Sequence, residues 1–366
     1  MSEARKRILS MLAESRISVE QAEELLSAME TDDKSRIKTP EKSFSNGFTS
    51  MVDEIQKQVG KAVKSIQPQS KELKNKLKGL GDWISDAVGK VVTDIKLSQN
   101  EPIDGTSIEC MVPAPENYSK CEKVEICNVW GSIIVHDTDD FSLKVKGKIS
   151  KSALGEDSHV EWLKKNIVSV KDNTLVIGFD KSSVEKAALE IEVFMPASMP
   201  LTIKSLSANV DINGPFKISA LESTSGSVKM KHAILSGTAI ETVSSDVEVI
   251  GGTIALTAKT TSGDFRLKDC TVERFQIQSV SGDIEIVNPK FSDDAAMEMN
   301  STSGDISITR PQGGVKRLEA RTRSGSLQIR WPGRNQPLER NGTLLENTDP
   351  GASIKAESIS GDLIFD

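Results

Sequence analysis

Apolar positions fall into two textures along the chain. Up to about residue 97 they recur at three- and four-residue steps, as on one face of a helix. From about residue 100 they alternate in short β-branched runs, as in strands with one buried face. Ile8, Leu9, Met11 and Leu12 make a first helical face, and Arg16 and Ile17 a turn. Ser18, with Gln21 three residues on, has capping-box spacing ahead of Ala22, Leu25, Leu26 and Met29. Residues 1–30 are therefore expected to form a helical hairpin too small to be stable alone, and residues 31–43 a polar linker.

Residues 44–97 are strongly amphipathic. Phe44, Phe48, Met51, Ile55, Val59, Ala62 and Ile66 precede Pro68, which breaks the run. Leu73, Leu77, Leu80, Ile84, Val88, Val91 and Ile95 then repeat the pattern. Two such helices most simply pair as an antiparallel hairpin. A second reading places them on a membrane surface, since residues 51–97 carry nine Lys against six acidic residues and hold Trp83 among glycines. Interleaving of the Lys with Asp and Glu favours pairing. Phe48, Ile55, Trp83 and Ile84 are the expected contacts to a protein partner or a membrane surface.

Beyond Pro102, strands are expected at Lys123–Ile126, Ser132–Val135, Ser142–Lys146, Thr174–Ile177 and Leu189–Phe194, with a short helix at Val160–Asn166. Residues 100–204 thus form a β-rich opening or cap region. From 205 to 366 one unit repeats: STSGSVKM, TTSGDFRL, SVSGDIEI, STSGDISI, TRSGSLQI and SISGDLIF, with TVSSDVEV carrying Ser245 in the glycine position. SLSANVDI and NVWGSIIV are weaker copies. The corner positions Ala208, Gly226, Ser245, Gly263, Gly282, Gly304, Gly325 and Gly361 lie 18, 19, 18, 19, 22, 21 and 36 residues apart. The last interval predicts a degenerate unit or an inserted loop over 331–350.

Two short strands and a corner per 18–22 residues suit one coil of a β-solenoid. Glycine is expected at the corner for its backbone angles, and the hydroxyls before it are expected to bond the turn amides. About eight coils at ~4.8 Å give a rod on the order of 40 Å. The fold class is therefore mainly β with an α-helical N-terminal region.

These SGD-[VIL]-x-[VIL] units, with VEICNVWGSIIVHD and LEIEVFMPASMPLTIKSLSANVDI, resemble a bacterial β-strand-repeat, adhesin-type family of unknown function, of the YvlB kind. The likeness covers roughly residues 120–366. KRILSMLAESRISVEQAEELLSAM is similar to the SHOCT-like helical module of such proteins. The resemblance implies a link to cell-envelope stress and brings no catalytic residues with it.

Composition fits a thin core. Apolar residues are 37% and aromatics 4% of the chain, with one Tyr. A net charge of −7 argues against nucleic-acid binding. No run of 18 apolar residues and no secretory leader pattern occurs, so the cytoplasm is the expected location, with membrane association as the second reading. Cys110, Cys121, Cys127 and Cys270 lack CxxC spacing and are expected to be reduced and mostly buried.

The sharpest site candidate is a column of carboxylates, Asp246, Asp264, Asp283, Asp305 and Asp362, one after each corner. Stacked unpaired they would repel by about 1–3 kcal/mol per pair. Corner amides, neighbouring Lys or Arg, or a bound cation would relieve that. Gly226, Gly263, Gly282, Gly304, Gly325 and Gly361 are expected to be structural. His136, His159 and His232 have no ligand spacing, and there is no GxSxG elbow, P-loop or dinucleotide fingerprint. Neither a cofactor nor a catalytic residue is expected, and the chain reads as a non-enzymatic scaffold or binding protein. One alternative is a carbohydrate-active or carbohydrate-binding β-helix, since Arg310, Arg321, Arg323, Arg330 and Arg334 cluster around Trp331. Another is self-assembly through open strand edges at the solenoid ends.

Overall fold

A computed structural model describes residues 105–366, apart from 157, 179–186, 332–333, 339–341 and 348–349. The hairpin expected at 1–30, the linker at 31–43 and the helices at 44–97 lie outside the described residues. So do the contact residues Phe48, Ile55, Trp83 and Ile84.

The described chain is mostly β. It opens with β1 (Gly105–Val112), β2 (Lys123–Asn128), β3 (Ser132–Asp137) and β4 (Ser142–Ser150), then helices α1 (Lys151–Leu154) and α2 (His159–Asn166). Next come β5 (Val168–Lys171), β6 (Thr174–Gly178), β7 (Ala187–Met195), β8 (Leu201–Ser205), β9 (Asn209–Asn213), β10 (Ile218–Lys231) and β11 (Ile234–Ile250). Then follow β12 (Thr253–Thr260), β13 (Phe265–Lys268), β14 (Thr271–Ser279), β15 (Ile284–Val287), β16 (Lys290–Ser301) and β17 (Ile306–Thr309). The chain closes with β18 (Val315–Thr322), β19 (Leu327–Ile329), β20 (Arg334–Leu338), β21 (Gly342–Glu346), β22 (Ala352–Ser358) and β23 (Leu363–Phe365). All five strands expected between 123 and 194 are present. The helix expected at 160–166 is α2, started by a capping box between Ser158 and Glu161.

The strands form two parallel ladders. One stacks β6, β2, β8, the leading parts of β10 and β11, then β12, β14, β16, β22 and β18. The other stacks β7, β3, β9, the trailing parts of β10 and β11, then β13, β15, β17, β23 and β19. One strand from each ladder plus the corner between them makes a rung. Alternation sends Ile254, Leu256, Ala258, Phe265 and Leu267 inward from one rung, and Val272, Phe275, Ile277, Ile284 and Ile286 from the next, all buried. Each large side chain so covered contributes about 1.5–3 kcal/mol, so a core with few aromatics is sustained by repetition.

Rung order departs from sequence order at both ends. β2 lies between β6 and β8, and β3 between β7 and β9. At the far end, β22 lies between β16 and β18, and β23 between β17 and β19. The 36-residue interval holds an insertion rather than a degenerate unit among its described residues. It holds the antiparallel pair β20–β21, which pairs through β21 with β18. At the other end β5 pairs antiparallel with β6, and β4 joins β7 to β1.

Two expectations need correction. Of the six corner glycines from Gly226 to Gly361, Gly226 alone has a positive φ (102°). Gly263, Gly282, Gly304, Gly361 and Gly325 are required by close approach instead. A Cβ on each would sit well under 3.0 Å from the carbonyl oxygen of Ser245, Gly263, Gly282, Gly304 and Gly361 respectively. Ser245 escapes because β10 and β11 run through their corner as continuous strand, pairing Gly226 with Ser245. The four thiols are free, but only Cys270 is buried; Cys110, Cys121 and Cys127 are partly exposed. Burial pushes the Cys270 thiol up to about 11.

Candidate functional site

The corner column is where the repeat concentrates its polar groups. The hydroxyl three residues before each glycine is buried and folds back on the turn. Ser279 Oγ accepts from the Gly282 amide (3.1 Å) and donates to the Gly282 carbonyl (2.9 Å). Ser301, Thr322 and Ser358 accept from Gly304 (2.8 Å), Gly325 (3.1 Å) and Gly361 (2.8 Å) in the same way. Thr242, ahead of Ser245, has no such partner and its hydroxyl is buried unpaired. This follows from the extended backbone at that corner.

Ser262, Ser281 and Ser303 stack along the column, their amides donating to Val243, Thr261 and Val280, each at 2.9 Å.

The carboxylate column is bonded along its length. Asp246 Oδ1 accepts from the Asp264 amide (3.0 Å), Asp264 from Asp283 (2.9 Å) and Asp283 from Asp305 (2.8 Å). Asp305 Oδ1 accepts from Asp362 (2.7 Å), and Asp362 from Ser326 (2.6 Å). Each carboxylate thus caps an amide of the adjacent rung rather than of its own turn. Asn209 plays the same part for the Ser227 amide (3.0 Å). Desolvation raises the Asp283 carboxyl above the ordinary carboxylate range, and the neighbouring carboxylates of Asp264, Asp305 and Glu285 add to the shift. The amide bond from Asp305 opposes both. No three acidic, His or Cys side chains converge as a metal cage among the described residues.

The outer walls carry paired charges. Lys204 meets Glu125 and Lys229 meets Glu248, both at 2.8 Å, and Arg266 bonds Glu285. The Lys204 bond holds the Glu125 carboxyl below its usual range. A shallow open groove of about 460 Å³ crosses β14, β16, β22 and β18. Arg274, Ala296, Arg317 and Ser353 stand among its lining residues. Arg317 is already engaged by Glu319 and Glu346.

Several of the remaining candidates are engaged elsewhere among the described residues. Trp331 is buried edge-on against Phe365 at 5.4 Å, so it offers no platform for a sugar ring. Arg330 pairs with Asp366, and Arg321 lies near Glu357. His136 bonds Glu192 at 3.1 Å and stacks on Phe194, with no nucleophile beside it in that pair. His159 opens α2, and His232 occupies a positive-φ turn. Asn209 is a column member that the sequence reading does not name, whereas Ser227 and Ser326 stand in it as interruptions. The Asn209 signal is positional, since it stands directly after a corner residue, where Asp is usual.

A family model described as Toastrack DUF4097 matches residues 123–364, and one described as a SHOCT-like domain matches residues 3–34. No curated protein matches the chain. A solved structure of a candidate cell adhesion protein from Clostridium sporogenes aligns over 71% of this chain and 99% of that chain, at 11% identity and a TM-score of 0.22.

Proposed function

This chain belongs to the Toastrack DUF4097 family, and we propose that it is a non-enzymatic scaffold whose stacked rungs form a β-solenoid. In this reading the solenoid holds a helical interaction module, residues 1–97, that engages a protein partner or a membrane surface in work tied to the cell envelope. The observation that carries it is how the repeat spends its polar groups. Corner hydroxyls cap corner amides, and Asp Oδ1 atoms cap the next rung. Wall charges pair with each other. Such groups hold rungs together and leave no acid–base pair poised over a cleft.

The test is a co-sedimentation and pull-down comparison of the full chain with a Phe48→Asp, Ile55→Asp variant. One arm contains anionic vesicles and the other a cell lysate. Retention by either that is lost in the variant supports the proposal. Equal retention of both forms removes residues 44–97 from it. Turnover of a polysaccharide, abolished by Arg274→Ala, would replace it with the carbohydrate-active alternative.

A further inference from the structure

The residue just after each buried corner hydroxyl belongs to a second column, headed by Val129 beside Asn128. The amide following each member donates to the carbonyl of the member one rung before. Ser207 donates to Val129, Ser225 to Leu206, Ser262 to Val243, Ser281 to Thr261, Ser303 to Val280 and Ser360 to Thr302. Strand alternation turns these side chains away from the core. Val129 and Leu206 accordingly make an apolar cluster apart from the main one, with Trp130 against it.

The column is nevertheless buried. Thr261 and Val280 are each 2% exposed, Val243 and Thr302 are buried as well, and Thr224 and Ile359 are half-buried. Asn300 and Glu357, outward positions beside the column, are 4% and 6% exposed. Stacking alone does not bury an outward position, since Arg274, Ala296 and Ser353 stack in register on the same wall and are exposed. The strip is therefore covered from outside the ladders. Its cover also faces polar groups. The Thr261 and Thr302 hydroxyls and both amide atoms of Asn300 are buried with no partner among the described residues.

We propose that this strip is the docking surface for a helix of the same chain, residues 73–95. The apolar stripe from Leu73 to Ile95 is about 33 Å long as a helix. The strip from Val129 to Ile359, eight rungs at ~4.8 Å, runs about 34 Å. Charge fits too. Residues 51–97 carry nine Lys against six acidic residues in a chain of net charge −7, with Lys74 and Lys78 next to stripe positions. The strip has the carboxylate column as its neighbour, Asp264 and Asp283 standing three residues beyond Thr261 and Val280.

The tether sets the direction. Residues 98–104 reach about 25 Å before Gly105 begins β1. Register carries Cys110 through Val145 and Ile191 to Ile133, so Gly105 lies on the corner side of β1, at the Val129 end of the stack. Ile95 then meets Val129 and Leu206, and Leu77 meets Thr302. This contact adds to the scaffold reading without resting on it, because that reading is tested through Phe48 and Ile55 and this one through residues 73–95.

The test is thiol labelling of the full-length chain with a small maleimide, read position by position from peptide masses. Thr261→Cys puts a thiol in the strip, and Cys270, buried in the core, reports on the fold. Position 261 should label slowly. Adding Leu80→Asp and Ile84→Asp should speed it by about tenfold or more while Cys270 stays slow. Equal rates with and without the helix substitutions overturn the proposal. Fast labelling in both forms means a strip open to an outside partner, and slow labelling in both means that another element or a second copy covers it. Should the helix substitutions expose Cys270 as well, oxidation of the folded Leu77→Cys, Thr302→Cys chain decides. Closure of that disulfide supports the docking, and failure to close overturns it.

Discussion

Rungs between residues 218 and 309 stack in the order in which the chain makes them, each bonded to its predecessor across about 20 residues. The end rungs are interleaved, so that Asp362 bonds Asp305 across 57 residues and Thr322 bonds Gly361 across 39. Both regions use the same corner chemistry, and what differs is the loop that must close before a bond forms. Closing a longer loop costs only slightly more, while the gain is positional. In a linear stack an end rung has one neighbour and frays outward. Here each outermost rung is followed along the chain by one seated further in, so it cannot peel away without drawing on its inner neighbour.

The largest test of this contrast is removal of the inserted rung. Truncation after Asn347 should do more than shorten the stack by one layer. It leaves β18 and β19 without the parallel partners they have among the described residues, and hydrogen exchange should show protection lost across 315–346 while 253–287 keeps its own. Loss of protection throughout would mean that the middle is not an independent block.

Gly282→Val comes next. Its Cβ would collide with the Gly263 carbonyl in the middle of the column, at an expected cost of about 3 kcal/mol or more. Gly237→Ala, where a Cβ meets nothing, should cost about 1 kcal/mol from its φ of 70° alone. Equal melting of the two would refute the close-approach explanation. Ser279→Ala, which strips a buried cap from Gly282, should cost about 1–3 kcal/mol.

The middle was legible in the sequence because its signal is local. Alternation placed Phe275 and Ile277 inside, the hydroxyl–glycine spacing placed the turn, and the 18–22-residue period placed each rung on the last. The glycine's reason was not legible, since a steric demand from the neighbouring rung looks the same in sequence as a demand for positive φ. Nor was the interleaving, because residues 322–329 and 358–365 carry nearly the same unit and periodicity cannot rank them. The carboxylate column is legible as a set, with corner amides as its partners, but which rung supplies each amide is not, since the bond runs between neighbours.

The smallest expected effect is electrostatic. Folding raises the Asp283 carboxyl, so the folded protein holds that proton to higher pH than the unfolded chain. The group's cost to stability is absent in acid and grows as pH rises through the raised value. Asp283→Asn keeps an acceptor oxygen for the Asp305 amide, as Asn209 does for Ser227, and removes the charge. It should melt slightly higher at pH 7 in low salt, with the gain fading below about pH 4 and in high salt. A lower melting temperature at pH 7 would mean that the charge itself holds the corner.

Rung order is tested most directly by disulfide closure among three register positions, Ser307, Ile364 and Gln328, each pair replaced by Cys in a full-length chain and oxidised in the folded state. The interleaved stack brings 307 to 364 and 364 to 328, each about 4.8 Å apart, and leaves 307 and 328 about two spacings apart. Closure of the first two pairs, with the third remaining open, is the predicted result. Closure of 307–328 with 307–364 open would return the rungs to sequence order and contradict the account.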